Sequence, residues 1–197
     1  MTKRATRKRL VLGAIAVIAV IGLAVGASWF FRGSEDEYYR TLYPLEYRDY
    51  VIHYATVYEL PQSLVYAVIH TESGFDPQAK SSAGAVGLMQ MTPDTFQWAQ
   101  WREKIDPPFD NDKLTDPETN IRFGCATLYH LGKLFADEQT VLAAYNAGMG
   151  NVGKWLQDKA YSDDGETLHT IPFRETRDYL KKVAAAREMY QSLYDLE

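Results

Sequence analysis

A nearly all-α domain behind a single N-terminal transmembrane helix is the architecture this sequence predicts. Three observations carry the prediction. Apolar residues in residues 43–197 recur at spacings of three and four, and no run alternates with period two. Helix starts of one type repeat along the chain: Pro61, Thr92-Pro93 and Asp116-Pro117 each precede an apolar-periodic stretch. Residues 10–31, LVLGAIAVIAVIGLAVGASWFF, carry no charge over a length that spans a bilayer as a helix.

The N-terminus sets the topology. Lys3, Arg4, Arg7, Lys8 and Arg9 make residues 1–9 a basic tail that stays cytoplasmic. Residues 10–31 then form the anchor, with Trp29, Phe30 and Phe31 at the far interface, and the rest of the chain lies outside the cytoplasm. The small residues at 24–27 also fit a cleaved signal peptide, but its apolar stretch is long for one, since such regions run about 7–15 residues. A retained single-pass anchor in the cell membrane is the favoured reading. Gly22 and Gly26 form a GxxxG pair, too common in apolar runs to mean more. The polar residues 32–42 read as a linker, and 43–197 as one domain.

Composition narrows the function. Five of the 21 basic residues lie in the tail, which leaves 16 against 26 acidic residues from position 32 onward. An acidic domain is a poor partner for nucleic acid. One cysteine, Cys125, rules out an internal disulfide framework and reads as a core thiol. His53, His70, His130 and His169 stand alone, without metal-ligand spacing, and His70 falls off the buried stripe. Neither a metal nor another cofactor is expected.

Taken in order, Pro44 opens a helix with Tyr47, Tyr50, Val51, Tyr54, Ala55 and Tyr58 on its packed side. A second helix begins at Pro61, with Leu64, Val65, Val68 and Ile69 on one face; Gly74 and Pro77 stop it. Residues 77–91 are loop. Thr92 caps a helix carrying Phe96, Trp98 and Trp101, and residues 102–115 are irregular. Asp116-Pro117 starts a helix with Ile121, Cys125, Leu128, Leu131 and Phe135 inward and Gly124 allowing close approach. Thr140 opens the next, stopped by Gly148 and Gly150. Trp155 sits in a short segment, and residues 158–170 are polar loop. A last helix follows Ile171, with Leu180, Val183, Arg187, Tyr190 and Tyr194 near one face.

One residue on these stripes is chemically out of place. Glu72 lies four residues past Val68 and three past Ile69, on the apolar face at the helix's C-terminal end. Desolvation and the negative end of the helix dipole both disfavour its charged form. A carboxyl kept protonated near neutral pH is what a general acid requires. The plain alternative is a glutamate snorkelling to the surface.

Four motifs decide between these readings. Glu72-Ser73, then Gly87-Leu88-Met89-Gln90, then Ala144-Tyr145-Asn146-Ala147-Gly148, then Glu175-Thr-Arg177-Asp-Tyr179 resemble, in order, those of the soluble-lytic-transglycosylase (SLT) domain. The resemblance spans roughly 43–190. It implies a lysozyme-like (goose-type) fold and an enzyme that cuts peptidoglycan glycan strands with a single glutamate. By resemblance, Glu72 protonates the bond between N-acetylmuramic acid and N-acetylglucosamine. As a carboxylate it then takes the proton of the muramoyl C6 hydroxyl, which closes on C1 as a 1,6-anhydro ring. Ser81 matches a family position near the intermediate's oxygens. Gly87 and Leu88 bring backbone close to the glycan, while Met89 packs and Gln90 packs and hydrogen-bonds in the cleft, Gln90 contacting sugar. Tyr145 approaches the glutamate and the sugar's acetamido group, with Asn146, Ala147 and Gly148 beside it. Glu175 and Tyr179 close the site from the last helix.

Several residues have two readings. Ser73 either caps the helix end or touches substrate. Asp76 is read as a turn-capping side chain rather than a second catalytic carboxylate. Arg177 is read as half of a structural ion pair, and Trp98, Trp101 and Trp155 as core before sugar platforms. Thr92 and Leu180 depart from the family's usual methionine and valine, which bears on subsite shape and not on the reaction. Two rival functions remain: a lysozyme-like muramidase, which needs a second carboxylate or a held water, and a non-catalytic wall-binding protein.

Overall fold

Helix 62–73 is buried along most of its length, packed against helices 174–194 and 48–57. The computed structural model describes residues 20–22 and 35–197 and divides the chain into two units, Met1–Pro44 and Leu45–Glu197. In the first unit, residues 35–42, within the stretch read as a linker, are helical. Glutamate, tyrosine, arginine and leucine, with neither glycine nor proline among them, suit a helix despite their polarity. The predicted anchor, 10–31, and the basic tail lie outside the described residues, save 20–22. Among the described residues no helix is long and apolar enough to cross a membrane.

The second unit begins with α1 (Arg48–Val57), which buries Val51, Tyr54 and Ala55. Pro44 stands clear of it, and Tyr47, at φ 54°, turns the chain into the first helical residue. Tyr50 is exposed. Helix α2 (Gln62–Ser73) follows, with Pro61 as its N-cap instead of its first turn. Ser63 to Ile69 are all buried, so the apolar stripe has widened to a whole segment. Gly74, left-handed at φ 58°, ends the helix and returns its N–H to the His70 carbonyl.

Two helices start as the sequence predicts. In α3 (Pro93–Arg102) the Thr92 hydroxyl accepts from the Thr95 N–H, and in α4 (Pro117–Gly132) the Asp116 carboxylate accepts from the Thr119 N–H. A 3-10 turn, Asn111–Thr115, interrupts the irregular stretch between them. Helix α5 (Glu138–Ala147) is capped by Asp137, three residues before the expected start, with the Thr140 N–H bonded to its carboxylate. Gly148, at φ 86°, joins it directly to α6 (Met149–Leu156), so Gly150 lies inside a helix rather than stopping one.

The last helix, α7 (Arg174–Tyr194), buries Thr176, Tyr179, Val183, Ala186, Tyr190 and Leu193. It packs along α2, where Tyr66 stacks on Tyr190 with centroids 5.2 Å apart. His70, expected in solvent, is half-buried edge-on to Phe75 and Tyr190. On the other side α4 packs against α1, α3 and α5. Its Gly124 admits Met89: a Cβ there would stand 2.3 Å from the Met89 sulfur.

Candidate active site

The C-terminal end of α2 and the loop after it make the site. Glu72 is half-buried one residue before the helix ends. Burial pushes its carboxyl from the ordinary 4.5 up to about 7; contact with the Tyr179 hydroxyl opposes the rise, and the nearby Glu175 carboxylate adds to it. The Tyr179 hydroxyl is buried and completes no hydrogen bond among the described residues, so its contact with Glu72 is a loose one. Burial and then the Glu72 charge hold both Tyr179 and Tyr145 well above the usual phenol range. Glu72 therefore sits between two neutral hydroxyls, with Glu175 exposed at the start of α7.

Ser73 turns out to be a fastener. Its hydroxyl donates to the Leu88 carbonyl at 2.8 Å, lies 3.2 Å from the Ile69 carbonyl, and accepts from the Phe75 N–H. That ties the helix end carrying Glu72 to the loop carrying Gly87-Leu88-Met89-Gln90. The helix-capping reading holds, with an added span to the loop.

The loop itself is rigidly made. Gly87 has φ 83°, and a Cβ on it would meet the Leu114 carbonyl and the Asn120 amide at 2.3 Å. Asn120, fully buried on α4, donates to the Val86 and Leu114 carbonyls and accepts from the Met89 N–H at 2.7 Å. Leu88 and Met89 are fully buried, so their side chains are core. The Gln90 amide donates to the Ala79 and Gly87 carbonyls, which commits both its hydrogens within the loop. Ser81 is exposed, and its hydroxyl accepts from the Ala85 N–H.

Across from α2, the Tyr145 hydroxyl donates to the Met89 carbonyl at 2.7 Å. Asn146 and Ala147 are half-buried at the end of α5, and Gly148 is exposed. Tyr145 and Gly148 line a cavity of about 180 Å³ with Thr95, Trp98, Thr127 and Ala144. This cavity adjoins the acid without including it.

The structure thus gathers Glu72, Tyr145, Tyr179 and Glu175, and uses Ser73, Gly87, Leu88, Met89 and Gln90 to hold the frame. Asp76 accepts from the Gln78 N–H, as a turn cap does. Among the described residues Arg177 pairs with no carboxylate; it donates to the Ile171 and Pro172 carbonyls at the entry to α7. Cys125 is buried, and burial pushes its thiol up. Trp155 is buried, Trp98 is half-buried, and Trp101 is 70% exposed. Sequence reasoning missed Asn120; its one signal is an asparagine one position before the apolar stripe of α4.

Comparison with known proteins gives the arrangement a family. Residues 49–167 match the transglycosylase SLT domain. The chain is 38% identical over 151 residues to the soluble lytic murein transglycosylase of Escherichia coli K12, covering 76% of this chain and 23% of that protein. It is 33% identical over 156 residues to membrane-bound lytic murein transglycosylase C of Cronobacter sakazakii, covering 68% of this chain and 43% of the relative. An inactive mutant of lytic transglycosylase Slt from Pseudomonas aeruginosa superposes with a TM-score of 0.66 at 33% identity, over 76% of this chain and 24% of that one. The chain therefore spans a quarter to under half the length of these relatives. Its helical architecture is the lysozyme-like SLT fold, and the chain belongs to the transglycosylase SLT domain family.

Proposed function

We propose that this protein is a peptidoglycan lytic transglycosylase whose only acid–base group is Glu72. The observation that carries the reading is a carboxyl at a helix end whose pKa is raised by burial to about 7. Such a group is protonated and deprotonated in comparable amounts near neutrality, and the reaction asks for both forms in turn. Glu72 gives its proton to the bridging oxygen as the muramoyl C1–O bond breaks. The carboxylate then receives the C6 hydroxyl proton while that oxygen bonds to C1. Glu72 ends protonated, as it began, and no water is consumed.

The neighbours fit these steps. Tyr145 and Tyr179 stay neutral beside Glu72, so neither competes as a base. Asp76 is engaged by its own turn, which removes the nearest candidate for a second carboxylate in the sequence. The names of the relatives, lytic murein transglycosylases soluble and membrane-bound, support the same reaction. Residues 10–31 anchor the domain outside the cytoplasm and confine cutting to wall near the membrane; the support is the uncharged stretch behind a basic tail.

Digestion of purified peptidoglycan by the full chain, with Glu72→Gln in parallel, tests this. Muropeptides one water lighter than reducing sugars, absent with the variant, are expected on mass spectrometry. Reducing-end products would instead make the protein a muramidase, with Glu175 as the carboxylate to pursue. Recovery of a mature chain starting near Ala27, free of membranes, would overturn the anchor.

A further inference from the structure

Trp101 is the most exposed large hydrophobic residue of the described part, at 70%, and the catalytic reading gives it no task. It lies in a second groove of about 390 Å³, on the far end of α3 from the cavity beside Tyr145. Trp101, Ile105 and half-exposed Phe109 give the groove its apolar surface; Gln97, Asp110 and Asn111 supply planar polar side chains. Its wall is built, not loose. The buried Gln100 side chain clamps the loop to α3, accepting from the Phe109 N–H and donating to the Phe109 carbonyl. Phe109 in turn rests edge-on against Phe123, at 6.0 Å.

This chemistry selects its ligand. An indole face offers a negative π surface to the axial C–H groups of a pyranose. At the rim the amides of Gln97 and Asn111 donate and accept and the Asp110 carboxylate accepts, as sugar hydroxyls and acetamido groups require. The one charged residue lining the groove is Asp110, which disfavours anionic ligands such as phosphate-bearing polymers. A groove of this size holds a monosaccharide unit.

Its position links it to the cleft. Asp94, Trp98 and Trp101 fall at i, i+4 and i+7, one face of α3. Asp94 and Trp98 line the cavity shared with Tyr145, and Trp101 lines the outer groove. The rise from Asp94 to Trp101 is about 10 Å, close to the length of a disaccharide. We propose that the Trp101 groove is an accessory glycan subsite, which holds an N-acetylhexosamine unit of a strand running along α3 from the cleft. This rests on the proposed action on peptidoglycan, and it adds a hold on the polymer remote from Glu72.

The test is direct observation of the indole. The full chain carrying Glu72→Gln, isotopically labelled on tryptophan nitrogen, is titrated with chitotetraose. The Trp101 resonance, assigned by its loss in Trp101→Phe, is expected to shift saturably. The paired changes Gln97→Ala and Asn111→Ala are expected to weaken that titration at least fivefold; being remote from the cleft, they separate the groove from any effect relayed from Glu72. An unmoved Trp101 resonance, a titration indifferent to the rim changes, or a shift with free stem peptide but not with sugar would each overturn the subsite. Anhydro products from the wild-type chain alongside a silent Trp101 would sink this subsite and leave the reaction standing. A shifted, rim-dependent Trp101 without such products would support the subsite and count against the reaction.

Discussion

Glu72→Gln should make the protein more stable, and by an amount set by pH. The carboxyl rises from 4.5 in the unfolded chain to about 7 in the folded one, chiefly through burial. Below pH 4.5 both states are protonated, and the ionisation contributes nothing. Between 4.5 and 7 the unfolded chain has lost the proton that the folded chain keeps. Stability of the wild type therefore falls through that window by about 1.4 kcal/mol per pH unit. The accumulated loss is about 3 kcal/mol at pH 8, an upper bound since Glu72 is half rather than fully buried. A glutamine of the same shape carries no charge and escapes it. Urea denaturation of both proteins from pH 4 to 9 reads the difference. It should be constant below pH 4.5, grow through the window and level off above pH 7, with roughly 10 °C in melting temperature at the top. A difference that stays flat with pH, or a wild type that gains on the variant as pH rises, would refute the account of Glu72 as a desolvated acid.

Four further outcomes follow from the geometry. Activity of the wild type should fall about tenfold per pH unit above 7, as the acid form is lost, in a pH–rate profile on peptidoglycan. Glu175→Gln should move that limb to lower pH and Tyr179→Phe to higher pH, because one neighbour raises the Glu72 pKa and the other lowers it; limbs that move together would break the argument. Asn120→Ala strands the Met89 N–H and two carbonyls in the interior and should cost about 3–5 kcal/mol in chemical denaturation. Gly87→Ala combines a left-handed φ with backbone overlap at Leu114 and should leave little folded protein by circular dichroism, whereas Gly84→Ala, at φ 82° in open space, should lose only about 1–2 kcal/mol.

Much of this frame was readable from the chain because its signals are local. The Thr92-Pro93 and Asp116-Pro117 starts, and the Gly74 stop, depend on residues within one turn of each other. Glu72 stood out because an acid on an apolar stripe contradicts the stripe. Local cues also misled. Asp137, Glu138 and Thr140 crowd one helix start, and only the folded cap shows that Asp137 wins. What stayed hidden is long-range. Nothing near Leu88 and Met89 announces that they are core, since the wall that buries them comes from α4, some thirty residues on. Asn120 reads as a solvated helix residue until three partners from two loops converge on it. The inward face of α7 sits about one residue from the expected one, because Thr176 and Ala186 are small enough to bury without advertising it.

Asn120 and Gly124 lie one turn apart on α4, and between them they grip the loop that frames Glu72. Both grips come after residue 116, whereas residues 103–112 are fastened elsewhere, Glu103 to Tyr58 and His130, and Phe109 to Gln100 and Phe123. Substitutions at the exposed positions of that stretch, Lys104, Asp106, Asp110 and Asn111, reshape the surface on which a polymer lands, while the reacting carboxyl keeps its surroundings. The molecule separates what must stay constant for chemistry from what is open to diversify for recognition. Natural variation or directed evolution of substrate preference should accordingly collect in this stretch.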